Sequence, residues 1–225
     1  MSPPTLYHLW LCPFSRKVRI VLGEKKIACN LVIERVWEQR PDFLALNPAA
    51  DVPVLVDAEG LTLSDSAAIT EYLDEIQPNQ PLFGSDPRVR AEVRRLVNWF
   101  DVKFNRDVTI NLVGEKIVKR QMGIRHGPDS RLVRIGYAMI RQHLDYIGWL
   151  IERRRWLAGD ALSMADIAAA AHLSTVDYLG DVPWEDFPAA KDWYARVKSR
   201  PSVRPLLADH LPGIPPPAHY ADLDF

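Results

Sequence analysis

The hydrophobic positions in the first third of the chain follow the period of strands and then that of a helix. Val52, Val54 and Val56 recur at every second position, as the residues of one strand face do. The four residues that follow, DAEG, have the composition of a turn, and LTL after them returns antiparallel. Apolar residues then recur at helical spacing from Ile69 to Ile76. The pattern predicts a β-hairpin followed directly by a helix.

Strand and helix periods also alternate before this hairpin. A strand is predicted from Thr5 to Trp10, a helix from Ser15 to Glu24, and a second strand before the hairpin. Strand, helix, strand, hairpin and helix in this order predict a thioredoxin-like α/β domain. Pro53 interrupts the strand-like run of the hairpin, which predicts an edge position and a cis peptide bond.

The rest of the chain has the helical period. One apolar stripe starts at Val89, and further periodic stretches cover 132–155 and 166–178. Ser163 and Asp166 have the spacing of a capping box, which predicts the start of a helix. The second half of the chain is therefore predicted to be all α-helical.

Proline and glycine become dense between the two periodic regions, as in a linker. We predict a thioredoxin-like α/β domain at 1–77, a linker at 78–87, an all-α helical domain at 88–210 and a tail at 211–225. The tail is rich in proline and ends in acidic and aromatic residues.

Composition limits the classes of function. The chain has 225 residues, of which 48% are hydrophobic, and a net charge of −1, so two packed domains are possible and nucleic acid is not an expected partner. No apolar run reaches membrane-spanning length and no signal peptide precedes the first strand, so we expect a cytoplasmic protein without membrane insertion. Cys12 and Cys29 cannot form a disulfide framework or a zinc site by themselves, which fits a reducing compartment and no bound metal.

Cys12 is the candidate nucleophile. It precedes a predicted helix start and lies near Arg16 and Lys17, an environment that lowers the pKa of a thiol. A small buried residue in a tight loop explains the same pattern. Asp65 and Ser66 open the helix after the hairpin, where free backbone N–H groups and the positive end of the helix dipole attract a carboxylate.

Three segments resemble the glutathione transferase superfamily. The segment DVPVLVDAEGLTLSDSAAITEYLDE resembles the glutathione site of this superfamily. The segment CPFSRKVR resembles the active-site turn of its cysteine-type, omega-like members. The segment WLAGDALSMADIAAAAHLS resembles the folding motif of its helical half. The resemblance implies a glutathione site formed by Val52, Pro53, Asp65 and Ser66, and Cys12 as the catalytic residue if the protein is a glutathione-dependent transferase or thiol transferase.

One residue departs from the superfamily pattern. Members usually carry Lys or Gln just before the Val-Pro pair, where its side chain meets the glycyl carboxylate of glutathione, and this chain has Asp51. Two carboxylates within ~4 Å repel by about 4 kcal/mol at an effective dielectric near 20. We therefore expect glutathione to bind weakly and no cofactor to be required.

Further segments resemble one branch of the superfamily, the transferase-like regulators of alphaproteobacterial cell division that bind FtsZ. These segments are WFDVKF, KSRPSVRPLLAD and the ending HYADLDF. The resemblance implies a cytoplasmic homodimer that binds FtsZ filaments at the division site and promotes their curvature or bundling, with little or no transferase activity. The alternative is the transferase that uses Cys12.

The residues expected to contact FtsZ lie in the second domain and the tail. They are Trp99, Lys103, Glu115, Lys119, Tyr220, Asp222, Asp224 and Phe225. In the tail, carboxylates supply negative charge and aromatic rings supply apolar anchors. Two structural interpretations stay open, because the helix residues can form a solvated charged face and the tail can pack on its own domain.

Overall fold

The computed structural model describes residues 2–223 and confirms an α/β domain followed by an all-helical domain. One mixed sheet has the strand order β2-β1-β3-β4, with β1 Thr5–His8, β2 Asn30–Ile33, β3 Val54–Val56 and β4 Thr62–Ser64. β1 is parallel to β2, and β3 is antiparallel to both β1 and β4. The predicted hairpin is therefore present as β3 and β4.

The peptide bond between Val52 and Pro53 is cis, as predicted from the sequence. The predicted edge position is wrong, because β3 lies between β1 and β4. Pro53 directly precedes β3 instead of belonging to it. Its missing N–H group therefore removes no hydrogen bond from the sheet.

Three α-helices belong to the first domain: α1 Pro13–Glu24, α2 Pro41–Leu46 and α3 Ser66–Ile76, with a 3₁₀ turn at Val36–Glu38. α1 begins two residues earlier than predicted, because Cys12 is its N-cap and Pro13 takes the first helical position. The Asp65 carboxylate caps α3 by accepting the N–H of Ala67 at 2.6 Å. The starts of α1 and α3 thus lie beside Cys12 and Asp65, which the sequence analysis predicts as residues of a ligand site.

The second domain consists of helices: α4 Pro87–Asn98, α5 Lys119–Gln121, α6 Ser130–Ile151, α7 Met164–Asp177, α8 Pro188–Lys198 and α9 Arg204–Leu207. A π-helical segment, Trp99–Val118, joins α4 to α5 without a break. Short 3₁₀ turns lie at Trp184–Asp186 and Ala218–Tyr220. Within residues 2–223, no helix is long and apolar enough to cross a membrane.

α7 lies at the centre of the helical domain, because every one of its residues is buried. The predicted capping box of Ser163 and Asp166 is present at its start. α7 also packs against α1 of the first domain, where Arg16 donates a hydrogen bond to the hydroxyl of Ser174 at 2.9 Å. This contact between α1 and α7 joins the two domains.

Candidate functional site

A cavity of about 890 Å³ lies between the two domains. The first domain contributes the residues before α1 and the loop after β2, including Cys12 and Trp37. The second domain contributes the π-helical segment, and the tail adds Leu211 and Ile214. The charged residues of the wall are Arg35, Glu38, Asp51 and Arg120. A cavity of this size and largely apolar lining suits a small-molecule ligand.

The Cys12 thiol is held in its protonated form. Its Sγ accepts the backbone N–H of Ser15 at 3.5 Å and donates to the carbonyl oxygen of Val52 at 3.7 Å. Burial raises the pKa of this thiol, and the charge of Asp51 raises it further. The hydrogen bonds from Ser15 lower the pKa, but burial outweighs them. Little thiolate is therefore present at neutral pH.

The prediction that Arg16 and Lys17 lower this pKa is wrong. Both side chains are buried and are used in ion pairs between the domains. Arg16 pairs with Asp209 at 3.4 Å, and Lys17 pairs with Asp101 of the π-helical segment. The carboxylates of these pairs neutralise the two positive charges, so neither charge stabilises a thiolate at Cys12.

Alkylation of Cys12 by iodoacetamide should report the raised pKa of its thiol. Since the thiolate is the reactive form, we expect the rate to keep rising with pH beyond the point at which an ordinary cysteine is half ionised. Cys12→Ser is the control, because the remaining thiol of Cys29 has a pKa that burial raises to about 11. A rate that reaches its plateau near neutral pH would contradict this account of the site.

The residues predicted to hold glutathione are only partly brought together. Val52 lines the cavity beside Cys12, whereas Pro53, Asp65 and Ser66 do not line it. Asp65 has a left-handed backbone with φ of +73°, and its carboxylate is used to cap α3. Ser66 is buried. The start of α3 is predicted to attract the carboxylate of a ligand, but the carboxylate of Asp65 already occupies it.

Asp51 lies at the cavity wall with its carboxylate fixed in place. The side-chain amide of Asn47 donates to that carboxylate at 2.6 Å and to the backbone carbonyl of Asp51 at 3.0 Å. An amide orients a carboxylate without neutralising it. A second carboxylate at this part of the wall would therefore be repelled.

A polar relay that sequence reasoning missed runs from the cavity wall to the domain interface. The hydroxyl of Thr109, at the wall, lies 3.1 Å from Nδ1 of His172, and Nε2 of His172 lies 3.3 Å from the Asp101 carboxylate. Lys17 of α1 pairs with the same carboxylate. Burial lowers the pKa of His172, so its imidazole is neutral at pH 7. The only signal in the sequence was one polar side chain inside the apolar run AAAAHL.

The second-domain residues predicted to bind a partner are largely engaged by contacts within their own domain. Trp99 is half-buried and donates its indole N–H to Nδ1 of His143 at 3.0 Å, and Lys103 lies 5.5 Å from the centre of the Trp99 ring. Glu115 requires a correction: its side chain is only 5% exposed and accepts a hydrogen bond from Lys119 at 2.6 Å. Glu115 therefore stabilises its helix and presents no carboxylate to a partner.

The tail also requires a correction. Tyr220, predicted as an apolar anchor for a partner, is fully buried, and its hydroxyl accepts a hydrogen bond from Arg16 at 2.9 Å. This part of the tail packs on its own domain, which is the structural alternative that the sequence analysis leaves open. Asp222 is exposed. The other two predicted contacts, Asp224 and Phe225, lie outside the described residues.

Comparison with known proteins gives matches over both domains. The family model for the glutathione S-transferase N-terminal domain matches residues 6–81, and that for the C-terminal domain matches residues 138–201. FtsZ-localized protein A of Caulobacter vibrioides is 49% identical over 98% of each chain. Glutathione S-transferase 2 of Saccharomyces cerevisiae is 28% identical over 87% of this chain and 85% of its own.

Solved structures with the same fold cover the whole chain. FzlA from C. crescentus is 48% identical with a TM-score of 0.96, and the match covers 100% of both chains. A glutathione S-transferase from Rhodospirillum rubrum is 58% identical with a TM-score of 0.95, and the match covers 99% of this chain and 100% of the other. The likeness therefore extends through the linker and the tail as well as the two domains.

Proposed function

Because the chain belongs to the glutathione S-transferase family, we propose that it acts as a homodimeric binding protein for FtsZ filaments rather than as a transferase. The observation that carries this proposal is the 49% identity to FtsZ-localized protein A over 98% of both chains. The protein would act in the cytoplasm at the division site. A two-fold dimer carries two copies of its binding surface, so it can bridge neighbouring filaments and promote their bundling or curvature.

The chemistry of the cavity supports weak or absent transferase activity. A transferase of the cysteine type needs a thiolate, and burial raises the pKa of Cys12. The carboxylate of Asp51 at the cavity wall disfavours the glycyl carboxylate of glutathione. We infer that glutathione binds weakly and that no cofactor is required for filament binding.

The competing function is a glutathione-dependent thiol transferase that uses Cys12. Two observations favour it: Cys12 lines a cavity large enough for a small molecule, and the relative from Rhodospirillum rubrum is described as a glutathione S-transferase. The two functions differ in what they require of the thiol. A transferase loses its turnover without Cys12, whereas a filament-binding protein retains its partner.

Co-sedimentation with polymerised FtsZ tests the proposal. We expect the full chain to pellet with filaments, Cys12→Ser to pellet equally well, and both to show glutathione turnover near the uncatalysed rate. Unpolymerised FtsZ is the control for filament dependence. Retention on glutathione resin with turnover that Cys12→Ser abolishes, and no co-sedimentation, would establish the transferase instead.

Charge reversal in the tail tests whether the tail takes part in the contact. Asp222 is exposed, although its charge also acts on Lys198. We expect Asp222→Lys to abolish co-sedimentation and to lower the melting temperature only slightly. Tyr220 is unsuitable for this purpose, because its buried ring would change stability as well. If stability and binding fall together in Asp222→Lys, the tail acts only by packing on its own domain.

A further inference from the structure

The turn between α5 and α6 carries a concentration of positive charge. We define the basic turn as residues 118–135, which include Lys119, Arg120, Arg125, Arg131 and Arg134 and the single acidic residue Asp129. Five cations and one carboxylate give this segment a net charge of +4, while the whole chain has a net charge of −1. The rest of the chain is therefore acidic, and the basic turn is a local exception.

The acidic groups next to the basic turn are directed into the protein. The carboxylate of Asp129 accepts the N–H of Arg131 at 2.8 Å and caps α6. Glu115 is buried and accepts the backbone N–H of Asp129 at 2.9 Å. Among the ion pairs between described residues, none involves the side chain of Arg125, Arg131 or Arg134. These three guanidinium groups are available to an external anion.

Large apolar side chains are exposed among these arginines. Their exposed fractions are 48% for Met122, 41% for Ile124 and 40% for Ile135, while Val118, 39% exposed, lines the cavity between the domains. Scattered exposed apolar residues are common in proteins, but three within fourteen residues that also carry unpaired arginines indicate a contact surface.

The backbone of the basic turn is fixed by hydrogen bonds at the end of α5. The N–H of Ile124 donates to the carbonyl of Lys119 at 2.9 Å, and the N–H of Gly123 donates to that of Arg120 at 3.1 Å. Gly123 has a φ of +73°, which completes a Schellman turn. In such a turn the residue after the glycine usually packs back on the helix, yet Ile124 is exposed. The turn itself thus presents this side chain to the surroundings.

We infer that the basic turn docks on a membrane surface that contains anionic phospholipids. Guanidinium groups pair with headgroup phosphates in a bidentate manner, and side chains such as Met122 and Ile124 can enter the boundary between headgroups and acyl chains. Residues 122–135 do not line the cavity between the domains, so that cavity gives this part of the turn no groove for an extended acidic peptide. The contact is peripheral and requires no helix to cross the bilayer.

Vesicle co-sedimentation of the full chain tests this inference. The test compares vesicles of phosphatidylcholine alone with vesicles that contain about one third phosphatidylglycerol. The protein is expected to pellet only with the anionic vesicles. Raising the salt concentration from about 50 mM to about 300 mM should lower the bound fraction at least about fivefold, because salt screens the headgroup charge.

Two double variants separate the basic turn from general charge. Arg125→Glu/Arg131→Glu should lower vesicle binding at least about tenfold, because it reverses two charges of the surface. Arg155→Glu/Arg204→Glu changes the net charge by the same amount at exposed positions elsewhere and should retain binding. Arg131 and Arg204 both lie in the first turn of a helix, where glutamate is favourable, so neither change should unfold the protein.

Further variants keep the inference open to contradiction. Arg134→Glu, in α6, should weaken binding independently, and Met122→Ser/Ile124→Ser should weaken it without changing the charge. Equal losses in both double arginine variants would overturn the inference, because net charge alone would then explain binding. Binding to soluble polyglutamate but not to anionic vesicles would also overturn it and would assign the surface to an acidic protein partner. Failure of the unmodified chain to pellet at low salt would have the same consequence.

Discussion

Replacing Asp166 with Ala is expected to lower the free energy of unfolding by about 4 kcal/mol, because buried donors left without an acceptor cost roughly 1–3 kcal/mol each. The carboxylate accepts the backbone N–H of Leu157 at 2.9 Å and the indole N–H of Trp193 at 2.9 Å. It also accepts the backbone N–H of Ser163 at 3.0 Å and its hydroxyl at 2.9 Å. Urea denaturation measures the loss, provided that the slope of the transition is unchanged.

Two comparison variants define what the Asp166 result means. Ser163→Ala removes the other half of the capping box and should cost about 1 kcal/mol. Asp160→Ala changes an exposed carboxylate and should stay within about 0.5 kcal/mol of the unmodified protein. If Asp166→Ala costs no more than Ser163→Ala, Asp166 serves only as a helix cap and the wider network contributes nothing.

The capping box illustrates which part of this fold is readable from the sequence. The spacing of Ser163 and Asp166 predicts a helix start, because a capping box is formed within one turn of backbone. The bonds to Leu157 and Trp193 span 9 and 27 residues, and they depend on how α7 packs against the preceding loop and α8. The spacing of Ser163 and Asp166 therefore located the helix correctly. It accounts for only a small part of the free energy of unfolding that Asp166 is expected to contribute.

Cys12 shows the same limit at the candidate site. Its place before a helix and near Arg16 and Lys17 was visible in the sequence, and the cis bond before Pro53 was predicted correctly. The ionisation of the thiol depends instead on which groups the side chains of Arg16 and Lys17 contact in the folded protein. Their ion-pair partners, Asp209 and Asp101, lie more than 80 residues away along the chain, so proximity in sequence gave the wrong sign for the pKa shift.

The tail was ambiguous in the sequence for a related reason. Aromatic and acidic residues after a Pro-rich spacer suit either a partner or the parent domain. Two buried residues, Arg16 of α1 and Tyr178 directly after α7, decide between these interpretations for Tyr220. The Tyr220 hydroxyl bonds to Arg16, and its ring packs edge-on against Tyr178 with ring centres 5.1 Å apart. Asp222 remains exposed, so a contact with a partner stays possible only for the outer part of the tail.

Arg16 connects the end of the helical domain to the helix that starts at Cys12. Its Nε donates to the carbonyl oxygen of Trp10 at 2.6 Å, just before the Cys12 turn. Its other nitrogens reach Ser174 and Tyr220 at 2.9 Å and Asp209 at 3.4 Å. One fully buried guanidinium is thus bonded to the loop before α1, to α7, to Asp209 two residues after α9 and to the tail. Loss of its counter-charge should affect stability and the cysteine site together.

Asp209→Ala is therefore expected to lower the free energy of unfolding by about 3–5 kcal/mol, because removal of one partner leaves buried charges uncompensated. The guanidinium side chains of Arg16 and Arg19 that lose this partner are 0% and 6% exposed. Asp186→Ala is the matched control: its ion pair with Arg141 is 54% and 50% exposed, so its loss should cost less than about 1 kcal/mol.

The same variant should increase the alkylation rate of Cys12 at a fixed pH, since the loop before α1 is held through Arg16. Arg19→Leu/Asp209→Leu should recover part of the stability, because it replaces one buried charge and the shared carboxylate with apolar side chains. Equal, small losses in Asp209→Ala and Asp186→Ala would show that the buried cluster is not a strong link between the domains. A large loss of stability with unchanged Cys12 reactivity would instead confine the effect of Asp209 to packing and show that the cysteine turn does not depend on this ion pair.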